Sequence, residues 1–184
     1  MYGLVNRAIE QLVVSQRGEA TWQKVCERAG VPADGFVAMC PYHDDMTFKL
    51  VGAVSEELGL AAEDVLDAFG EYWILYTADE GYAEMLASAG SDLRTFMGNL
   101  DDMHGRVEMI FPAMKLPQFS VVDVADGEFL VHYRSERRGL APMVTGLLRG
   151  LAKRFNQQVR VQHLADQSLP GEDVFLVQPK AQVH

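Results

Sequence analysis

Two cysteines in 184 residues are too few for a disulfide framework, and Cys26 and Cys40 alone cannot make a four-ligand zinc site. They read as reduced thiols. Basic residues are also scarce, with 16 against 26 acidic ones and a net charge of −10, so the chain should repel phosphate backbones and nucleic-acid binding is not expected. No run approaches the roughly 18 apolar residues of a membrane span. Asn6, Arg7 and Glu10 interrupt the first apolar stripe, which excludes a secretory signal. The expectation is a cytoplasmic protein. Internal repeats, low-complexity tracts and long linkers are missing too, so one compact domain over 1–184 is expected, and 48% hydrophobic residues are enough for a core that encloses a cofactor.

What is present divides near Phe111-Pro112. In 1–111 the apolar periodicity is helical: Leu4, Val5, Ala8, Ile9, Leu12 and Val13 form one stripe, and Trp22, Val25, Cys26 and Ala29 a second, stopped at Gly18 and Gly30. Further helices are predicted from Asp44 or Asp45 toward Leu58, over Ala62–Thr77, over Asp79–Ala89, and through Leu93, Phe96, Met97, Leu100, Val107 and Phe111. In 112–184 the period changes to two. Phe119–Val124, an Asp126-Gly127 turn and Phe129–Ser135 read as a hairpin; Gly139–Phe155 reads as a helix, and Val159–Leu164 and Val174–Val177 as two more strands joined by a Pro170–Asp173 turn. The fold class is therefore α+β, with a helical subdomain followed by one holding a four-stranded antiparallel sheet and a helix.

Two features carry chemistry. Tyr133, Ser135 and Arg137 are spaced by two, so on a strand they share a face and offer two hydroxyls and a guanidinium to one anion, most naturally a carboxylate. The same alternation also fits a solvated face of a half-buried sheet. His104 falls in the apolar register of its helix, where a leucine would fit; such a histidine is either a hydrogen-bonded core residue or a ligand. Haem needs both an axial imidazole and anchors for two carboxylates, and these two features together meet that need.

At this point the chain resembles the H-NOX, or haem NO-binding, domains, the type of sensor found in soluble guanylate cyclase and in stand-alone bacterial proteins. Met1-Tyr2-Gly3, Phe69-Gly70-Glu71-Tyr72-Trp73, His104, Pro117 and the Tyr133/Ser135/Arg137 triplet occur in the family's order over nearly the whole length. The resemblance implies haem b between the two halves, iron bound by His104, propionates held by the triplet, and Pro117 pressing on the porphyrin. It puts Ile9, Trp73, Met143 and Leu147 on the distal wall with Val5 near it. Oxygen-binding relatives carry a distal tyrosine on the helix after the triplet, and Leu140–Leu151 contains none. The implied function is a non-enzymatic sensor of NO, and of CO, without stable O2 binding. In the family NO weakens the bond to the histidine trans to it, which frees the His104 helix to shift. Output is expected through a separate chain, a histidine kinase or a cyclic-di-nucleotide enzyme, with Glu56, Glu57, Glu63, Asp64 and Asp67 as a candidate contact surface. An oxygen sensor is the alternative if Trp73, Tyr72 or Tyr76 supplies a donor. A haem enzyme would need a distal acid–base group, for which His43, His132, His163 and His184 are poorly placed, and a haem-free carboxylate-binding domain remains a further alternative.

Overall fold

The computed structural model describes residues 1–180. Seven α-helices and four strands follow in the order α1 (Gly3–Arg17), α2 (Glu19–Ala29), α3 (Asp44–Leu58), α4 (Ala62–Thr77), α5 (Ala83–Ala89), α6 (Leu93–Ile110), β1 (Gln118–Asp123), β2 (Phe129–Arg134), α7 (Ala141–Arg154), β3 (Val159–His163) and β4 (Glu172–Pro179). The architecture is α+β, as the change of period near residue 111 predicts. The strands form one antiparallel sheet in the order β1-β2-β4-β3.

Local chemistry accounts for most boundaries. Asp92 caps α6 by accepting from the Thr95 backbone N–H at 2.9 Å, which satisfies one of the free donors of the first turn. In the β1–β2 hairpin Asp126 and Gly127 both take positive φ, 52° and 78°, the conformation that Asp-Gly tolerates and that matches strand twist. Besides the end of β2, at Arg134 where Ser135 is predicted, two boundaries differ from expectation. A π-helical turn, Ala78–Tyr82, replaces the start of the helix predicted at Asp79, because Gly81 at φ 94° breaks the α-helical geometry. Glu172 and Asp173 belong to β4 rather than to a turn, since each pairs across the ladder with β2, Glu172 with Arg134 and Asp173 with Tyr133.

The core runs through both halves and is closed by an unusually near approach of α4 and α7. A Cβ on Gly70 would lie 1.9 Å from the Met143 carbonyl oxygen, and one on Gly146 would lie 1.9 Å from that of Asp67. Only glycine admits such backbone contact. Arg149 to Asp67 and Lys153 to Glu71, both at 2.5 Å, close the rim of the same junction. The acidic run thus splits: Asp67 pairs with α7, and Glu56 and Glu57 pair with Arg28 of α2 at 3.2 and 3.0 Å.

Candidate functional site

α6 presents His104 after a fully packed stripe of Leu93, Phe96, Met97, Leu100 and Met103. The imidazole Nδ1 lies 2.9 Å from the carbonyl oxygen of Pro117. A carbonyl can only accept, so Nδ1 carries the proton and Nε2 keeps its lone pair. Burial depresses the imidazole pKa, against a smaller upward pull from the Pro117 carbonyl, so the ring is held neutral. Two further links tie α6 to β1. Phe119 N–H donates to Asp101 Oδ1 at 2.6 Å, and Arg94 forks onto the two oxygens of Asp123 at 2.9 and 2.8 Å. Sequence reading missed Asp101 and Asp123 because each sits among polar residues whose partner lies on another element.

Tyr133 is 4% exposed on the core side of β2, its ring 5.2 Å from Phe119, which in turn lies 6.0 Å from the His104 ring. The strand ends at Arg134, so the triplet is not a straight three-residue face. The chain turns instead: Ser135 N–H bonds Gly171, and the Ser135 hydroxyl accepts from the Arg137 backbone N–H at 3.1 Å, which brings Arg137 back toward the same rim. Its guanidinium donates to Asp44 at 2.8 Å and to the Lys115 carbonyl at 2.9 Å. The terminal ammonium of Met1 donates to the other Asp44 oxygen. Partial burial pushes the Asp44 carboxyl up, but hydrogen bonds from that ammonium and from Arg137 outweigh it and hold the group below the usual carboxylate range. Burial raises the Tyr133 phenol, although neighbouring Ser135 pulls it down, and it remains a hydroxyl donor. Ser135, Arg137, Lys115 and Gly171 line an open cleft of about 530 Å³.

The wall formed by α1, α4 and α7 is apolar. Ile9 is 2% exposed, while Val5, Trp73, Met143 and Leu147 are half-buried. The Met143–Leu147 turn rests directly on Gly70, three residues before Trp73, and the Trp73 ring packs 6.0 Å from both Phe69 and Tyr76. Of the two tyrosines flanking Trp73, Tyr72 is half-buried, whereas Tyr76 is 2% exposed with a hydroxyl that has no partner. Burial, with Glu80 nearby, pushes that phenol up to about 12.

The donor set fits a haem: one neutral imidazole with a free lone pair, a rim of guanidinium and hydroxyl groups for carboxylates, and apolar walls. The family profile described as Haem-NO-binding matches residues 2–163. This chain belongs to the Haem-NO-binding family. Soluble guanylate cyclase gcy-35 of Caenorhabditis elegans is 29% identical over 181 residues, covering 97% of this chain and 26% of the relative. Soluble guanylate cyclase gcy-32 of the same organism is 33% identical over 157 residues, covering 84% of this chain and 23% of the relative. The chain thus spans about a quarter of the length of these curated relatives. An H-NOX protein from S. oneidensis, solved in the Fe(II)NO ligation state, superposes with a TM-score of 0.85 at 24% identity over 98% of this chain and 99% of that one. The unliganded Fe(II) H-NOX protein from K. algicida gives 0.85 at 18% identity, covering 100% of this chain and 99% of that one. These two share the fold.

Elsewhere in this H-NOX domain, none of the other described histidines belongs to α1, α4 or α7. His132 is on the outer sheet face with Glu172 at 2.8 Å, His163 bonds Asp173 at 2.9 Å, and His43 precedes α3; His184 lies outside the described residues. Cys26 is buried, its thiol pushed up to about 11 by desolvation, and is inert on that account. Cys40 is exposed. No helix among the described residues is long and apolar enough to cross a membrane.

Proposed function

We propose that residues 1–184 form one cytoplasmic sensor domain that holds haem b between its halves, 1–111 and 112–184, binds nitric oxide and carbon monoxide without forming a stable oxygen complex, and signals to a separate effector protein. The observation that carries this reading is the His104 imidazole, neutral, with Nδ1–H committed to Pro117 and Nε2 open. Haem b, when bound, would supply a ferrous iron able to take a diatomic ligand. The chain does the rest. His104 would hold the iron from α6, Arg137, Tyr133 and Ser135 would hold the carboxylates, and Pro117, whose carbonyl fixes the imidazole's orientation, would press on the cofactor.

Gas preference follows from the opposite wall. Bound oxygen carries partial negative charge and gains from a donor, whereas NO and CO carry little and need none; Ile9, Met143 and Leu147 offer none, and α7 has no tyrosine. His132 on β2 and His163 on β3 stand on the sheet and not on the helices α1, α4 and α7 of that wall, which supports a sensor over a haem enzyme. A histidine kinase or a cyclic-di-nucleotide enzyme is the effector this reading favours. Oxygen binding is the second reading, and the unpartnered Tyr76 hydroxyl is the observation that favours it.

His104→Gly tests the assignment. The variant should lose stable haem and regain it with free imidazole, because glycine removes the axial nitrogen and leaves a ring-sized hole. An unchanged ferrous spectrum without imidazole would remove His104 from the site.

A further inference from the structure

The core side of the sheet carries a row of side chains that continues past the carboxylate grip. Register sets Phe119 opposite Tyr133, and Tyr133 opposite Asp173 on β4. Directly opposite residues have Cβ atoms about 4.5–5.5 Å apart, so Asp173 is an immediate neighbour of Tyr133. Asp173 Oδ1 lies 2.9 Å from Nε2 of His163 at the end of β3. The groups facing His163 are Asp173 and Phe175 from β4, the latter stacked at 5.0 Å, and Ser168 from the preceding loop, its hydroxyl 3.4 Å from the same nitrogen. Ser168 also accepts from the Val174 backbone N–H at 3.1 Å.

A carboxylate beside an anion-binding tyrosine has the wrong sign for that site. Asp44 already pairs with Arg137, and Asp173 places a second carboxylate beside Tyr133. Burial does most to keep the Tyr133 phenol protonated, and Asp173, its cross-strand neighbour, acts in the same direction. The histidine on Asp173 is therefore more than a packing contact.

Resting on the haem reading above, we propose that Asp173 and His163 are positioning residues for the propionate grip: Asp173 weakens the hold of Tyr133 on a carboxylate, and His163, bound to Asp173 through Nε2, offsets that effect when its ring carries a proton. The pair tunes how tightly the cofactor is retained.

The signs of two substitutions separate this from a structural role. A pair that only braces β3 against β4 would be weakened alike from either end. Charge tuning predicts opposite outcomes. Haem release into an excess of an apoprotein acceptor, followed optically at mildly acidic pH where imidazoles carry charge, should slow about threefold in Asp173→Asn and accelerate about threefold in His163→Gln. His163→Gln retains an N–H donor but loses the charge together with the ring stacked on Phe175, and the salt dependence of release isolates the charge. Both effects should shrink as salt is raised, since the pair is about one-third exposed. Asp173→Ser, which removes the charge with a different shape, should also slow release. Thermal unfolding of the haem-free variants reads the brace separately, and both should be slightly destabilised. Release that changes in the same direction in both variants, or differences indifferent to salt, would overturn the proposal while leaving the haem assignment intact. Failure of the unsubstituted protein to take up haem would instead overturn both.

Discussion

At His104 an imidazole occupies a position that the helical pattern assigns to leucine, and Pro117, thirteen residues on, supplies the carbonyl that sets its tautomer. The candidate ligand and the Tyr133, Ser135 and Arg137 grip were legible because residue type and local spacing carry them. Asp44 was not. It meets Arg137 across 93 residues of sequence, and no local pattern records such a contact. Its presence changes what to expect of the grip, because a propionate must share the Arg137 guanidinium with a resident carboxylate. Arg137→Ala should weaken haem binding by tenfold or more, corresponding to loss of a charge-assisted bond of about 1.5–3 kcal/mol, and Tyr133→Phe should cost less, as a neutral hydroxyl contributes about 1 kcal/mol. Haem titration of the two apoproteins checks the order. Equal and negligible losses would return the triplet to a solvated strand end.

Among elements, helices and strands were read correctly where a single period ran uninterrupted. The failures lie where tertiary contact overrides local pattern. Period-two spacing carried β2 through Ser135, yet the strand stops at Arg134 and a serine turn redirects the chain. Polar residues after Pro170 suggested a turn, yet Glu172 and Asp173 are held in β4 by pairing with β2. The α4–α7 contact was hidden for a related reason: Gly70 and Gly146 stand 76 positions apart, and their meaning appears only when the helices touch. Since Trp73 and Met143 flank this contact, it also sets the width of the apolar wall. Gly146→Ala should force the helices apart, lower stability by about 1–3 kcal/mol in denaturant unfolding, and speed CO escape by loosening that wall. Unchanged stability and CO kinetics would mean that the two backbones do not approach so closely.

Over the whole molecule, acid should weaken the contact between Asp44 and Arg137 and ease unfolding. Asp44, in the first turn of α3, is pushed up by partial burial but held below the ordinary carboxylate range by the Met1 ammonium and by Arg137 from beyond β2, so its stabilising effect is full at neutral pH and is lost as the pH falls from the unfolded carboxylate value through the lower folded one. Neutral, buried His104 acts in the same direction at higher pH, because the unfolded chain takes up that proton first. Unfolding of the haem-free protein should therefore grow easier through the imidazole range and then through the carboxylate range. Asp44→Asn should flatten the second step; the partial exposure of the pair keeps the difference small. A second step identical in the variant would show that Asp44 does not link the halves.

Gas selectivity tests the account most directly, through one optical titration of the reduced, haem-loaded protein with air, CO and NO in turn. CO and NO should each give a distinct, stable spectrum, while air should leave the ferrous form unliganded or slowly oxidise it, as an apolar wall of Ile9, Met143 and Leu147 requires. A stable oxy spectrum would contradict the nitric oxide assignment and would identify a donor on α4, with the unpartnered Tyr76 hydroxyl the first to remove.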